Sequence, residues 1–236
     1  MTIRTILNPA EIRNLPLQDL SDEACVVFDV LRATSSIVTA CAHGARRVFP
    51  VLSIDEALAL KAEMPDAILG GERGGDRIEG FDVGNSPAEY CGFAGRDIIS
   101  TTTNGTVALR ACEDSPHVFA ASFLNMKATA DAILRLAPKR VCIVCAGTHA
   151  DFSYEDALAA GRFVLHFNDA LLDDASLAVR DVFFTHRDDY AITVRNVANG
   201  RALVAAGRDA DITWCMREDV FDTVVAKVAR NTFAAI

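Results

Sequence analysis

Short apolar runs alternate with segments of helical character along the chain. Each run has the length of a buried β-strand and ends at a polar or glycine-containing segment. The runs cover residues 3–7, 25–28, 46–51, 67–70, 97–101, 117–121 and 141–147. Because strands that alternate with helices build layered α/β domains, the pattern predicts a three-layer α/β/α fold with a largely parallel or mixed sheet. We expect one such domain over residues 1–236.

Amphipathic segments and their start signals predict the helices. Ser53 stands three residues before Glu56, which is the spacing of a capping box, and Asn125 is placed to cap a later helix. The predicted helices cover residues 54–63, 107–112, 126–136, 154–167, 174–185 and 189–206. Gly200 is a point where the last of these could break, and an apolar run over 212–215 predicts a final strand.

The composition allows a sizeable core and excludes two classes of partner. The chain is 51% hydrophobic and 23% charged, and its net charge is −9. An acidic protein of this kind is not expected to bind nucleic acid or an anionic membrane surface in general. An anionic small-molecule substrate would require local positive charge from arginine, helix amino termini or a divalent cation.

The cysteines indicate a reducing compartment. There are seven, an odd number, and most lie in apolar runs, which predicts buried free thiols rather than a disulfide framework. Cys142 and Cys145 have the spacing of a redox or zinc motif, but residues three apart in a strand face opposite sides, which favours core thiols. No segment resembles a signal peptide and no apolar run reaches membrane-spanning length, so we expect a soluble cytoplasmic protein.

The segment CVVFDVLRATSSIVTACA joins a buried strand to a helix through a polar loop. Ligands of α/β proteins bind at such junctions. Asp29 offers a carboxylate for a metal or for acid–base chemistry, and Arg32 offers a guanidinium for an anion. Thr34 and Ser35 offer hydroxyls for phosphate oxygens. The alternative is an Asp that begins a turn and a Thr or Ser that caps a helix.

The segment GGERGGDRIEGFDVGNSPAEYCG is a long loop crowded with Gly, Asp, Asn and Pro. Loops of this length in compact domains are usually functional or disordered, and the aromatic residues favour an ordered one. Glu72 and Asp82 could bind a cation, while Arg73, Asn85 and Ser86 could bind oxyanions. The alternative is a solvated, turn-rich loop.

The segment TTTNGT places hydroxyls and a glycine between a strand and a helix start, where they could hold a phosphate. Its candidate residues are Thr103, Asn104, Gly105 and Thr106. The alternative is an ordinary loop with an Asn-Gly turn. The segment is not a Walker A loop, because no Lys follows the Gly. A haloacid-dehalogenase type of phosphatase is also disfavoured, because Leu31 stands where that class has a second Asp.

Two further acids follow the apolar run at 141–147. Glu155 and Asp156 would lie in the first turn of a helix, where they could ligate a metal such as Mg²⁺. The alternative is that Ser153 and Asp156 form a capping pair and the acids favour the helix dipole. His149, in the loop before them, is an acid–base candidate.

Five blocks of the sequence together resemble the 2-phosphosulfolactate phosphatase (ComB) family. They are DVLRATSSI, GERGGDRIEGFDVGNSP, TTTNGT, ASFLN and CAGTHADFSYEDALAAG, and they occur in the family's order and spacing. The resemblance implies an α/β/α fold particular to that family. It also implies a Mg²⁺-dependent hydrolase that converts 2-phospho-3-sulfolactate to 3-sulfolactate and phosphate. The family's motif positions here are Asp29, Arg32, Glu72, Arg73, Asp82, Asn85, Asn104, Gly105, Glu155 and Asp156.

The chemistry of these residues suggests their roles. Asp29 and Arg32 are the expected catalytic residues, with Asp29 as a metal ligand or nucleophile. The expected Mg²⁺ ligands are Asp29, Glu72, Asp82, Glu155 and Asp156. The expected substrate-binding residues are Thr34, Ser35, Arg73, Asn85, Ser86, Thr103, Asn104, Gly105 and Thr106.

Alternatives remain open at this point. The chain could act on another phosphorylated hydroxy acid, or could bind small anionic metabolites without turning them over. A thiol-dependent enzyme that uses Cys142 or Cys145 is a third alternative. A homodimer is compatible with each of these functions.

Overall fold

Eleven strands form one mixed sheet in the computed structural model, which describes all 236 residues. The strands are β1 (Thr2–Ile6), β2 (Glu23–Phe28), β3 (Arg47–Pro50), β4 (Ile68–Arg73), β5 (Asp76–Arg77), β6 (Asp97–Thr101), β7 (His117–Ala121), β8 (Arg140–Cys145), β9 (Leu171–Leu172), β10 (Val225–Ala229) and β11 (Thr232–Ala235). Their order across the sheet is β5-β4-β6-β3-β11-β10-β7-β2-β8-β1-β9.

The sheet contains two groups of parallel strands. Strands β7, β2, β8, β1 and β9 pair in parallel as one group, and β4, β6 and β3 form the other. The antiparallel hairpin β10–β11 lies between the groups and pairs with β7 on one side and β3 on the other. The predicted α/β class with a mixed sheet is confirmed.

Ten α-helices connect and cover the strands. They are α1 (Pro9–Ile12), α2 (Ala33–Ala42), α3 (Ile54–Glu63), α4 (Gly105–Ala111), α5 (Met126–Leu136), α6 (Tyr154–Val164), α7 (Asp174–His186), α8 (Tyr190–Arg195), α9 (Ala198–Ala205) and α10 (Asp209–Cys215). No helix is both long enough and apolar enough to cross a membrane.

The sheet separates two large hydrophobic clusters. Side chains of α5, α6 and α7 pack on one face of the sheet, and side chains of α2 and α4 pack on the other. Because side chains alternate along a strand, β2 sends Val26 to the first cluster and Val27 to the second. Cys142 and Cys145 likewise lie on opposite faces, so the prediction that both are core thiols is confirmed. All seven cysteines are free, and only Cys91 is exposed.

The start signal predicted for α3 is confirmed, and the one predicted for α5 is confirmed in position only. The Ser53 hydroxyl accepts a hydrogen bond from the Glu56 backbone N–H at 3.0 Å, and α3 spans the predicted residues. Asn125 is the N-cap residue of α5, but its side chain makes no capping bond to that helix. The Asn125 Oδ1 instead accepts from the Ser122 N–H at 3.0 Å, within the short turn that precedes the helix.

The predicted strand over 212–215 is wrong, because these residues belong to α10. Ile212 and Cys215 are fully buried and three residues apart, a spacing that places both on one face of a helix. The pattern also missed β10 and β11. The two strands are paired with each other and with distant strands, and this pairing decides their conformation.

Several predicted helix boundaries shift by a few residues. The helix predicted over 154–167 ends at Val164, and the one predicted from residue 107 begins at Gly105. The break predicted at Gly200 lies earlier, between α8 and α9. Gly200 is inside α9, where a Cβ atom would collide with the Val194 carbonyl oxygen, so the glycine permits close packing.

One buried carboxylate fixes the start of β6. Asp97 is 4% exposed and accepts hydrogen bonds from both Arg46 and Arg47, the latter at 2.8 Å and 3.0 Å. These bonds hold the pKa of Asp97 well below its usual value of 3.8. The carboxylate therefore stays ionised and joins β3 to β6 at neutral pH.

Candidate active site

A polar pocket of about 160 Å³ lies where the loops after β2, β6 and β8 meet the β4–β5 hairpin and α9. Six of the predicted site residues line it: Asp29, Arg32, Glu72, Asn85, Thr103 and Asn104. A larger open groove of about 560 Å³ lies elsewhere, beside three arginines at the start of β3 and before β6, and contains none of these residues. The smaller pocket therefore gathers the predicted chemistry.

Asp29 is held at the end of β2 by the first turn of α2. Its backbone N–H donates to the Thr34 hydroxyl at 3.0 Å, and that hydroxyl donates to the Asp29 carbonyl at 2.9 Å. The Ala33 N–H donates to Asp29 Oδ1 at 3.1 Å. Asp29 Oδ2 has no hydrogen-bond donor in the protein, although the residue is only 8% exposed. This oxygen is available to a ligand.

The start of α4 approaches this free oxygen closely. A Cβ atom at Gly105 would lie 2.6 Å from Asp29 Oδ2 and 2.5 Å from Ala33 Cβ. Only glycine allows that approach, which explains why the loop from Thr102 must end in Gly105. The loop is closed by Thr106, whose hydroxyl donates to the Thr102 carbonyl at 3.0 Å.

The electrostatics of the pocket disfavour an unpaired Asp29 carboxylate. Burial is the largest influence on the pKa of Asp29 and raises it, while the hydrogen bond from the Ala33 N–H opposes burial. The nearby carboxylates of Glu72 and Glu155 also raise the pKa, each by more than Arg32 lowers it, and the net result is a pKa of about 7. Burial also raises the pKa of Glu155. The pocket carries more negative charge than its protein partners compensate, which is an arrangement that favours a bound cation.

Glu72 and Glu155 are fixed by neutral donors rather than by cations. Glu72 Oε2 accepts from the Gly75 N–H and Oε1 from the Thr103 N–H, both at 2.7 Å. Glu155 is 2% exposed, and its Oε1 accepts from Asn199 Nδ2 at 2.6 Å. Asn199 lines the pocket, so Glu155 lies directly behind its wall.

Asp156 and Asp82, two more of the predicted metal ligands, also lie outside the pocket wall. Asp156 accepts from the Val30 N–H at 2.8 Å and the Gly147 N–H at 3.2 Å, and so ties the loop after β2 to the loop after β8. Asp82 is exposed, and its carboxylate accepts from the Leu69 N–H at 2.8 Å. Their role as metal ligands stays a prediction; the bonds seen here are structural.

The two predicted anion-binding arginines are placed differently. Arg32 lines the pocket and is 5% exposed; it donates to Asp211 Oδ2 at 2.6 Å and to the Gly75 carbonyl at 3.0 Å. Arg73 does not line the pocket, because its guanidinium donates to the Glu72 carbonyl at 2.7 Å and the Thr101 hydroxyl at 2.8 Å. Arg32 is thus the one arginine of the pocket wall.

The remaining predicted substrate-binding hydroxyls support the loops. Ser35 donates to the Val30 carbonyl at 2.9 Å, and Ser86 donates to Asp211 Oδ1 at 2.6 Å. Thr34 and Thr106 donate to backbone carbonyls within their own loops. None of the four lines the pocket, and a direct contact with substrate stays a prediction for each.

Sequence reasoning missed the contribution of the C-terminal helices. Asn199 on α9 lines the pocket and donates to both Glu155 and the Thr148 hydroxyl, the latter at 2.6 Å. Asp211 on α10 holds Arg32. No local motif marks either residue, and Asp211 adjoins the run that resembled a strand. His149, the acid–base candidate, does line the pocket and is exposed.

The carboxylates of the pocket are not gathered into a tight metal cage. Three potential metal ligands do lie within 4.8 Å of one another, but they are Glu23, Cys25 and Cys142, which are buried at the opposite end of β2 from the pocket. Glu23 is already paired there with Arg4 at 2.8 Å and Arg140 at 3.3 Å. Asp29 and Glu72 could therefore supply only part of a cation's coordination shell, with the rest coming from water or substrate.

Comparisons with known proteins agree in one family. A family profile described as 2-phosphosulpholactate phosphatase matches residues 10–229. A protein named probable 2-phosphosulfolactate phosphatase from Caldicellulosiruptor saccharolyticus is 40% identical over 215 residues, which is 87% of this chain and 89% of that protein. One of the same name from Carboxydothermus hydrogenoformans is 36% identical over 95% of this chain and 92% of its own. Another protein of that name, from Thermotoga maritima, is 38% identical over 90% of this chain and 92% of its own.

Proposed function

The chain belongs to the 2-phosphosulfolactate phosphatase family, and on that premise we propose that it hydrolyses 2-phospho-3-sulfolactate to 3-sulfolactate and phosphate. The observation that carries the proposal is the buried Asp29 carboxylate, whose Oδ2 has no donor in the protein and lies beside Glu72 and Arg32 in a polar pocket. The class of reaction is phosphate-monoester hydrolysis.

We propose Mg²⁺ as the cofactor, held by Asp29 and Glu72 with Glu155 behind them. Mg²⁺ prefers oxygen ligands and usually takes one or two carboxylates, with water and phosphate oxygens completing its shell. The pocket offers that donor set, and its loosely spaced acids fit an ion that keeps its waters. When bound, the ion would offset phosphate charge and lower the barrier to in-line attack on phosphorus.

The charge balance also supports a cation. The proposed substrate carries a phosphate, a sulfonate and a carboxylate, all anionic. Arg32 is the one arginine in the wall, and it is already shared with Asp211. One shared guanidinium does not balance three anionic groups together with two lining carboxylates, so additional positive charge is required.

The chain's own residues bind and orient the substrate in this proposal. Arg32 retains donors beyond the two it gives to Asp211 and Gly75, and these can hold an anionic group. Asn85, Thr103 and Asn104 add neutral polar groups to the wall. Asp29 acts at the reacting phosphate, as a cation ligand or as the nucleophile.

The test is phosphate release from 2-phospho-3-sulfolactate by the purified protein. We expect release that stops when a chelator removes divalent cations and returns when Mg²⁺ is added. Asp29→Asn should lower kcat by about 10³-fold or more with an unchanged melting temperature, because it removes a charge that acts on the reacting group. Asp188→Asn is the matched control, since Asp188 is an exposed acid outside the pocket, and should retain normal turnover.

The other outcomes separate the alternatives. Activity that is indifferent to the chelator would refute the metal role, and normal turnover by Asp29→Asn would remove Asp29 from the mechanism. Faster release from another phosphorylated hydroxy acid would reassign the substrate. Tight retention of the substrate without turnover at saturating Mg²⁺ would indicate a binding protein. We also propose a cytoplasmic location, which agrees with seven unpaired cysteines; a homodimer stays a prediction.

A further inference from the structure

A buried ion pair connects the pocket to the C-terminal helices. Arg32 Nη1 lies 2.6 Å from Asp211 Oδ2, and the two residues are 5% and 7% exposed. The second oxygen of Asp211 accepts from the Ser86 hydroxyl at 2.6 Å. Both oxygens of Asp211 are therefore bonded to residues of the pocket region, although α10 lies far along the chain from either one.

The guanidinium of Arg32 is fixed from two sides. The Gly75 carbonyl, in the turn of the β4–β5 hairpin, accepts from Nη2 at 3.0 Å, while Asp211 holds Nη1. An arginine has five N–H donors in a rigid plane, so two bonds set the direction of the other three. Because Arg32 lines the pocket, these bonds determine how its remaining donors meet an anion.

We propose that Asp211 is the positioning residue of the active site, acting through Arg32 on the anionic substrate. This inference rests on the proposed function for its effect on turnover, but the positioning itself is a property of the free protein. A neutral residue at 211 would loosen the guanidinium and leave its charge uncompensated. The lost orientation lowers kcat, whereas the added net positive charge offsets the loss of binding, so KM changes little.

Asp211→Asn tests the inference, with Asp209→Asn as the matched control. Asp209 lies on the same helix but is exposed and pairs with Arg195 at 2.8 Å, away from the pocket. We expect Asp211→Asn to lower kcat about tenfold to a hundredfold with KM within threefold. Asp209→Asn should match the wild type in both constants.

A second background separates positioning from a structural role. If Asp211 acts only through Arg32, Asp211→Asn should change kcat less than twofold when Arg32→Met is already present. An equal loss in both backgrounds would overturn the inference. Should Arg32→Met alone fail to fold because it leaves a buried carboxylate unpaired, the NMR measurement below decides between the two roles, because it compares variants that all keep Arg32.

Nitrogen NMR of the guanidinium tests the positioning without any substrate. The Arg32 Nη–H signals, assigned by their loss in Arg32→Lys, should be resolved in the wild type and in Asp209→Asn and averaged by rotation in Asp211→Asn. Resolved signals in Asp211→Asn would overturn the inference whatever the activity. If the Arg32 signals are averaged in Asp211→Asn and even the wild type releases no phosphate, the positioning is upheld and the proposed function is rejected. The two failures are therefore distinguishable.

Discussion

Replacing Gly105 with alanine adds one methyl group beside the carboxylate of Asp29. The new Cβ would lie 2.6 Å from Asp29 Oδ2 and 2.5 Å from Ala33 Cβ, whereas ordinary contacts begin at 3.4 Å. The start of α4 and the loop after β2 must therefore separate by about 0.9 Å, because close-packed interiors hold no spare volume for the methyl group.

That displacement should affect catalysis more than folding. Alanine is the better helix former by about 1 kcal/mol, while overpacking costs about 1–3 kcal/mol, so the net loss of stability is at most about 2 kcal/mol. A shift of about 1 Å in a catalytic group can lower turnover by about 10²-fold. We therefore expect Gly105→Ala to lose about 10²-fold in kcat/KM while remaining folded.

The assay is phosphate release from 2-phospho-3-sulfolactate, measured beside urea unfolding of the same preparation. Gly92→Ala is the matched control, because a Cβ atom there would meet nothing within 4 Å. Activity of Gly105→Ala within twofold of the wild type would refute the close approach of α4 to Asp29. A loss of activity that only follows the unfolded fraction would show that the glycine serves stability alone.

Three further variants test other contacts. Asp97→Asn should lower the free energy of unfolding by about 2 kcal/mol at pH 7. Because the pKa of Asp97 is lowered in the folded state, this loss should shrink as pH falls below about 4; urea unfolding at several pH values measures it, and a pH-independent loss would contradict the ion pairing. Gly161→Ala should lower stability by about 1–3 kcal/mol, because its Cβ would collide with the Val179 carbonyl oxygen between α6 and α7; an unchanged melting temperature would refute that packing. Asn199→Ala should raise the Mg²⁺ concentration for half-maximal activity about tenfold, because Glu155 loses its hydrogen-bond donor. An unshifted Mg²⁺ titration would show that Glu155 does not contribute to cation binding.

The strand-to-helix loops could be predicted because their signals are local. A buried run followed by polar residues places Asp29 at the end of β2, and TTTNGT follows β6 in the same way. The hairpin β10–β11 could not be predicted, because its strands gain stability from pairing with β7 and β3. The run over 212–215 was wrong because four apolar or β-favouring residues fit a strand and a buried helix equally well.

The site was predicted where the chemistry and the signal lie in one segment. Asp29, Glu72 and Asn104 stand in distinctive motifs, and all three line the pocket. Asn199 and Asp211 reach the site through the packing of α9 and α10, which no local pattern describes. Burial alone did not distinguish a ligand from a structural acid: Asp156 lies beside the site, yet both of its oxygens accept from backbone N–H groups.

A crystal structure with Mn²⁺ in place of Mg²⁺ and with 3-sulfolactate and phosphate tests the central claim most directly. Manganese gives an anomalous signal that locates the ion without assumptions about its ligands. We predict Mn²⁺ bound to Asp29 Oδ2 and a Glu72 oxygen, with an anionic group on Arg32. An ion elsewhere, for example at the Glu23, Cys25 and Cys142 set, or phosphate bound in this pocket without any cation, would contradict the account.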